Sequence, residues 1–258
     1  MYLCDLTFPS LARTDDAYES AYELAERLVR SGQFVGDYVV GIIGEDVRIS
    51  GVLPLPTSFD ERFHTEYVRD GLADLESRSG EPVRVKVHSQ ETDHEPAHLS
   101  SLDEIEQLVL RTRYNRLVSP LWDPVSDGHL PMHLVPLSAD DRERVIMWER
   151  VQKTLDRAWF HAPTEELELA AHRERAWPSS AGIREGRDHA RMIEEALGVP
   201  VYVWLEHDRD LDDALGEPVG SRDCERRSFG RRPGTDDLVL FVSEQHRLVS
   251  DVAFRCAA

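Results

Sequence analysis

The chain has 258 residues, of which 41% are hydrophobic, and this length and composition allow one large domain or two smaller ones with ordinary apolar cores. No apolar run approaches the ~18 residues that a membrane-spanning helix requires, and residues 1–5 lack the start of a signal peptide, so we expect a cytoplasmic protein that does not bind membranes. The 30 basic and 49 acidic residues give a formal charge of −19, which disfavours sequence-independent binding to nucleic acid.

Strand and helix patterns alternate through the first 89 residues. Residues 2–8, 35–43, 46–52 and 82–88 have the composition or the alternation of strands, and two helical patterns lie at residues 15–31 and 63–75. The resulting order is β-α-β-β-α-β. This order predicts a ferredoxin-like unit, which is an antiparallel sheet with two helices on one face.

We predict an α+β fold with three segments. Residues 1–89 form the ferredoxin-like α+β domain, and the polar, proline-containing stretch that follows places a linker and irregular segment at residues 90–137. Residues 138–258 form a helical region that ends in a ribbon-like hairpin without metal.

The helical region is predicted to begin with a capping box at Ser138 and Asp141. Apolar residues then recur three or four positions apart, which predicts a single buried stripe along a long helix. The stripe consists of Val145, Trp148, Val151, Leu155 and Trp159. Two further helices are expected at residues 165–175 and 179–197.

The last helix is followed by Gly198 and Pro200, which together favour a helix end. Residues 201–205 are β-branched and aromatic and predict a buried strand. Two closing strands at residues 238–243 and 247–254 complete a small antiparallel sheet.

Three histidines, His88, His94 and His98, lie among carboxylates near the start of the linker, and these residue types can bind zinc or manganese. Their intervals match no known ligand spacing. Because the residue types suit a metal, a metal-dependent hydrolase is nevertheless one alternative function. The chain contains no Gly-x-Ser-x-Gly elbow, P-loop or Gly-x-Gly-x-x-Gly motif.

Residues 220–234 are rich in arginine and are predicted to form an exposed loop. Such a loop can bind phosphate or a carboxylate-rich partner, and it can instead pair with the acidic surface of the protein itself. The candidate binding residues are Arg222, Arg226, Arg227, Arg231 and Arg232.

Three stretches carry a resemblance to a known family: Trp148-Glu149, residues 190–205 and residues 247–256. They resemble an uncharacterised bacterial family described as zinc-ribbon-containing proteins that are candidates for nucleic-acid binding. The resemblance implies two Cys-x-x-Cys pairs that together hold a structural zinc ion.

The positions that match these pairs hold Ser221 and Cys224, and Ser243 and His246. Only Cys224 and His246 are good zinc ligands, and a closed structural site requires four. We therefore expect a degenerate ribbon that binds no zinc and no other cofactor.

The missing catalytic motifs and zinc ligands favour a non-enzymatic macromolecule-binding or adaptor protein. A protein partner is expected, and the acidic surface suits a basic one. The resemblance implies the main alternative, a nucleic-acid-associated protein, which the net charge disfavours.

Overall fold

The computed structural model describes residues 1–90, 102–113, 118–206, 224–229 and 238–251. These residues divide into two compact units. The first unit takes the described residues of 1–97, 117–119 and 131–146, and the second takes those of 98–116, 120–130 and 147–258.

The first unit contains one four-stranded sheet and two helices that follow the predicted β-α-β-β-α-β order. The elements are β1 (Tyr2–Phe8), α1 (Ala17–Arg30), β2 (Val39–Ile43), β3 (Asp46–Leu53), α2 (Glu66–Ser79) and β4 (Arg84–Gln90). The strands lie in the order β2-β3-β1-β4, and each neighbouring pair is antiparallel.

Alternation along β1 produces the core of this unit. Cys4, Leu6 and Phe8 are fully buried, whereas the residues between them are at least partly exposed. Gly51 lies opposite Cys4, and a Cβ atom there would come within 2.3 Å of the Phe34 ring. The close approach of this ring to β3 therefore requires a glycine.

Helix α2 starts and ends later than predicted, because its capping residues decide its limits. The hydroxyl of Thr65 accepts a hydrogen bond from the Val68 N–H, which places the first helical residue at Glu66, three residues after the predicted start at Phe63. Gly80, with φ at +74°, ends the helix in the left-handed conformation.

The second unit contains a seven-stranded sheet and helices that follow β7 in the sequence. Its strands are β5 (Leu108–Leu110), β6 (Leu121–Asp123), β7 (Gly128–Leu130), β8 (Val201–Trp204), β9 (Glu225–Phe229), β10 (Leu238–Ser243) and β11 (Leu248–Ser250). The helices are α3 (Ala139–His161), α4 (Glu165–Ala176) and α5 (Ala181–Leu197), and the first residues of α3, up to Ile146, belong to the first unit.

This sheet corrects two predictions. The strands lie in the order β7-β6-β5-β8-β11-β10-β9, and β8 pairs in parallel with both β5 and β11, so the small antiparallel sheet was wrong. The segment 90–137, predicted as linker and irregular structure, supplies β5, β6 and β7. Each of these strands has three residues, which is too short for an alternating pattern to show.

The closing hairpin pairs β10 with β11, as predicted. Its apolar side chains join residues of β5, β6, β8 and β9 in one buried cluster. The cluster consists of Val109, Trp122, Tyr202, Trp204, Phe229, Leu240, Val242 and Val249. This packing includes three strands, β5, β6 and β9, that the sequence did not reveal.

Helix α3 does not bury the whole predicted stripe. Val145 and Trp148 are buried, but the side chain of Val151 is 54% exposed. The buried face continues instead through the polar residues Glu149, Gln152 and Asp156. Asp156 pairs there with the buried Arg175, so the buried face of α3 combines apolar residues with an ion pair.

Among the residues that the structure describes, no helix combines the length and the apolar character needed to cross a membrane.

Candidate anion-binding site

The strands β5, β8 and β11 are parallel neighbours, so their carboxyl ends lie at the same edge of the sheet. After β5 the chain continues to β6 on one side, and after β8 it continues to β9 on the other side. In open sheets with parallel strands, ligands bind beyond the carboxyl ends where successive connections diverge in this way. A ligand site is therefore expected at the boundary between β5 and β8.

Arg111 is the residue that directly follows β5. Its main-chain N–H donates a hydrogen bond to the Pro120 carbonyl at 2.8 Å. The guanidinium carbon lies 3.7 Å from the centroid of the Trp204 ring and 5.3 Å from that of Trp122. The two indole rings meet edge to face, with centroids 6.0 Å apart. Cation–π contacts of this kind fix the plane of a guanidinium group.

The charge of Arg111 has no partner in the part of the chain that the structure describes. Its buried Nε atom has no hydrogen-bond partner, and none of the ion pairs involves its guanidinium group. Burial lowers the pKa of Arg111 to about 10, although the carboxylates of Glu206 and Asp251 oppose this shift. The side chain therefore stays protonated at neutral pH as a desolvated, unpaired cation, which is costly.

Arg175 in α4 is the contrasting case. It forms a buried ion pair with Asp156 and a second ion pair, of 3.4 Å, with Glu206 beyond β8. The nitrogen that faces Glu206, Nη2, also lies 3.5 Å from the hydroxyl of Thr112, next to Arg111 in the chain, and the Nε atom has no hydrogen-bond partner among the described residues. Burial lowers the pKa of Arg175, and the charge of Glu206 counteracts this effect. Among the described residues of the unit, the guanidinium group of Arg175 is therefore ion-paired, whereas that of Arg111 forms no ion pair.

The predicted arginine loop is partly a strand. Arg226 and Arg227 lie in β9, which pairs with β10. Arg226 is exposed, whereas Arg227 forms an ion pair with Glu244, and Glu244 also binds the Tyr202 hydroxyl at 2.8 Å. Arg227 is thus engaged by the protein's own acidic surface. Arg222, Arg231 and Arg232 lie outside the described residues.

The two expected ribbon ligands, Cys224 and His246, lie next to different C-terminal strands. Cys224 precedes β9 and is partly buried, and His246 lies in the turn between β10 and β11. In the described ranges, no group of three or more His, Cys, Asp or Glu residues is arranged to hold a metal ion.

His88 contacts Asp5 within the first unit, while His94 and His98 fall outside the described residues. The Nε2 atom of His88 lies 2.9 Å from Asp5, and the Ser50 hydroxyl donates to the same carboxylate at 2.6 Å. Burial opposes ionisation of Asp5, but these two hydrogen bonds and Arg48 outweigh it and lower its pKa. This carboxylate is therefore held ionised by the side chains around it.

Sequence reasoning missed Arg111, Arg175 and Glu206. A usable signal exists for two of them, because each is a charged residue close after an apolar run: Arg111 follows 108–110, and Glu206 follows 201–205. Recognising that these runs are adjacent parallel strands would have placed both residues at one edge.

A domain of unknown function, DUF2310, is found at residues 103–206. This range includes Arg111, Arg175, Glu206 and both tryptophans that surround Arg111. No curated protein and no solved structure matches the chain. The zinc-ribbon and nucleic-acid descriptions of the resembling family stay predictions.

Proposed function

We propose that the protein is a non-enzymatic binding protein that recognises a carboxylate group of a protein partner at Arg111. The unpaired, desolvated guanidinium group of Arg111 carries this proposal. A guanidinium group can donate two parallel hydrogen bonds to a carboxylate, and the contact with Trp204 already fixes its plane. A partner's carboxylate would supply the ion-pair partner that Arg111 does not find among the described residues.

The chemistry of the surroundings favours recognition over proton transfer. Asp156 and Glu206 both serve as counter-ions of Arg175. The indole rings of Trp122 and Trp204 offer apolar surface against Arg111. A fixed cation beside apolar surface, with the carboxylates of Asp156 and Glu206 engaged by Arg175, suits binding of an acidic group with an apolar flank.

Two properties favour a protein partner over nucleic acid. The formal charge of −19 repels a polyphosphate, whereas a single carboxylate needs only a local cation. Met147 and Val151, one helical turn apart in α3, are 38% and 54% exposed and offer apolar contact area in the same unit.

The proposal is tested with acetate as the carboxylate probe. Acetate is titrated into ¹⁵N-labelled protein at constant ionic strength, and the indole N–H resonances of Trp122 and Trp204 are followed. We expect saturable shifts that Arg111→Gln abolishes and that Arg226→Gln, a change in an exposed arginine, leaves intact. Equal shifts in Arg111→Gln, or no saturable shift at all, would refute the site.

A second candidate function is nucleic-acid association, which the resembling family implies. It is supported by exposed basic side chains on one face of β4, where Arg84 and Lys86 lie opposite Thr7 and Asp5 of β1. Retention of single-stranded RNA that decreases with salt and is lost in Arg84→Gln/Lys86→Gln would favour this function over the first.

We also propose finer assignments for the two ends of the chain. The antiparallel β2-β3-β1-β4 order supports a ferredoxin-like first unit. The placement of Cys224 before β9 and of His246 between β10 and β11 supports a degenerate zinc ribbon. A metal assay on protein purified without chelator tests this assignment, because about one zinc per chain would contradict it.

A further inference from the structure

Strand β2 forms an edge of the sheet in the first unit, where β3 is its one neighbour among the described strands. A two-residue turn joins β2 to β3, so that Ile43 lies opposite Asp46. In such a hairpin the residues that flank the turn exchange main-chain hydrogen bonds, and the pattern then alternates along the strand. The N–H and C=O groups of Val40 and Ile42 therefore point away from β3, where no described strand pairs with them.

This edge has none of the features that usually prevent one sheet edge from pairing with another. The five residues of β2 include no charged residue and no proline, and their register with β3 contains no bulge. The side chains of Val39, Ile42 and Ile43 are 68%, 55% and 53% exposed. Because natural proteins protect exposed apolar edges, an edge without such protection favours the addition of another strand.

The exposed apolar surface continues from β2 onto helix α1. Tyr22 of α1 contacts Tyr38, which directly precedes β2, with ring centroids 5.4 Å apart. The Tyr38 hydroxyl donates a hydrogen bond to Glu26 at 2.7 Å, one turn further along the same side of the helix. Tyr18 lies one turn before Tyr22, and both tyrosines are exposed. A strand added to β2 would therefore have aromatic surface beside it.

The unpaired charge around this edge is negative. Asp37, two residues before β2, and Glu19, between the two exposed tyrosines, are exposed and form no ion pair among the described residues. The cations near the hairpin, Arg13 and Arg48, each pair with a carboxylate of the first unit. Such a rim attracts a segment that carries basic residues and repels an acidic one.

We propose that an extended segment of a partner protein, apolar in its middle and basic at its ends, adds to β2 as a fifth strand of this sheet. Pairing with a second copy of the chain is less favourable. If all five residues of β2 paired with their copies in antiparallel register, Asp37 of one copy would lie opposite Glu45 of the other. The inference goes beyond the proposed function, because none of its residues takes part in the Arg111 site.

The test uses the peptide Lys-Val-Thr-Val-Thr-Val-Lys, which is acetylated and amidated so that it has no carboxylate for Arg111. It is titrated at low salt into the ¹⁵N-labelled 258-residue chain. We expect saturable shifts in the amide resonances of β2 and slower hydrogen exchange of the Val40 and Ile42 amides. The same peptide with glutamine in place of lysine should bind about twofold to fivefold more weakly, because it lacks the charge that attracts Asp37.

Two variants locate the binding. Ile42→Pro removes an N–H group that points away from β3, a change that an edge strand tolerates, and should weaken binding at least tenfold. Asp37→Asn should abolish most of the preference for the lysine peptide, whereas Asp70→Asn, at an exposed carboxylate of α2, should preserve it. Because Asp37 lies outside the strands, its variant keeps the test decisive if Ile42→Pro does not fold.

Undiminished binding in a folded Ile42→Pro variant, or equal affinity for the two peptides, would overturn the proposal. Slow exchange of the Val40 and Ile42 amides in the protein without peptide would also overturn it, since the edge would then already be covered. Self-association of the chain that Ile42→Pro abolishes would assign the edge to a second copy, against the proposal.

Discussion

The guanidinium group of Arg111 lies 3.7 Å from the ring centroid of Trp204, and this stacking joins the ends of two adjacent parallel strands. The contact covers the face of the cation, and among the described residues no anion forms a hydrogen bond with its edge. We expect this desolvated charge to lower the stability of the protein when no ligand is bound.

Because a desolvated charge lowers the free energy of unfolding, we expect Arg111→Met to stabilise the ligand-free protein. Methionine keeps the apolar contact with the indole rings and removes a desolvated charge, so we expect a gain of about 1 kcal/mol after the loss of the cation–π contact. Urea denaturation measures the change. Arg226→Met, at an exposed position, should change stability by less than about 0.5 kcal/mol. A clear loss of stability in Arg111→Met would show that the charge is compensated.

A substitution of Arg175, in contrast, is expected to destabilise the protein. The side chains of Arg175 and Asp156 are each 5% exposed, so Arg175→Met leaves a buried carboxylate without its partner and should cost about 3–5 kcal/mol. Arg175→Met/Asp156→Leu removes both charges and should recover most of that loss. Thermal and urea denaturation of the two variants provide the comparison. Equal destabilisation in both would mean that packing, rather than charge, determines the effect.

Gly186 in α5 is predicted to tolerate no side chain. A Cβ atom there would lie 2.9 Å from Cζ2 of Trp148 and 3.3 Å from Cγ1 of Val203. Gly186→Ala should therefore cost about 1–3 kcal/mol through overpacking, in spite of the better helix propensity of alanine. Gly41→Ala is the control, because no atom lies within 4 Å of the corresponding Cβ position. A stable Gly186→Ala variant would mean that the indole of Trp148 can move.

The stability of the first unit should depend on pH through His133. Burial lowers the pKa of His133 to about 4 from its ordinary value of 6.5, and the hydrogen bond to the Gly32 carbonyl only partly opposes this shift. The unfolded chain then binds a proton at higher pH than the folded chain. This contribution is fully present above about pH 6.5 and is lost as the pH falls towards about 4.

The expected loss is on the order of 3 kcal/mol across this window. Denaturation curves collected from pH 7 to pH 4 measure it. His133→Gln should flatten the dependence, because glutamine can donate to the Gly32 carbonyl and does not titrate. His161→Gln, at an exposed histidine, should keep the slope of the parent. An unchanged slope in His133→Gln would assign the dependence to other groups.

The sequence predicted the first unit better than the second, and the cause is strand length. The strand β1 has seven residues and β3 has eight, so the alternation of buried and exposed positions is visible in both. The strands β5, β6 and β7 have three residues each and show no period. Their assignment depends on pairing with β8, which is distant in the sequence.

The candidate site was missed for a related reason. Nothing near Arg111 in the sequence indicates that Trp204 will cover its guanidinium group, because this contact follows from the parallel pairing of β5 and β8. The same limit applies to α3, where spacing predicted that Val151 is buried. The buried face contains the ion pair between Asp156 and Arg175, which spacing cannot show.

The position of β8 between β5 and β11 also bears on how the chain can be divided. The matched domain ends at residue 206, directly after β8, whereas β11 comes from residues 248–250. A fragment of residues 103–206 would therefore keep one neighbour of β8 and expose the main-chain groups and apolar side chains of its other edge. Such an edge invites pairing with other chains, so this fragment should aggregate when it is produced alone. The boundary of the family match is thus a boundary of sequence similarity and not of folding.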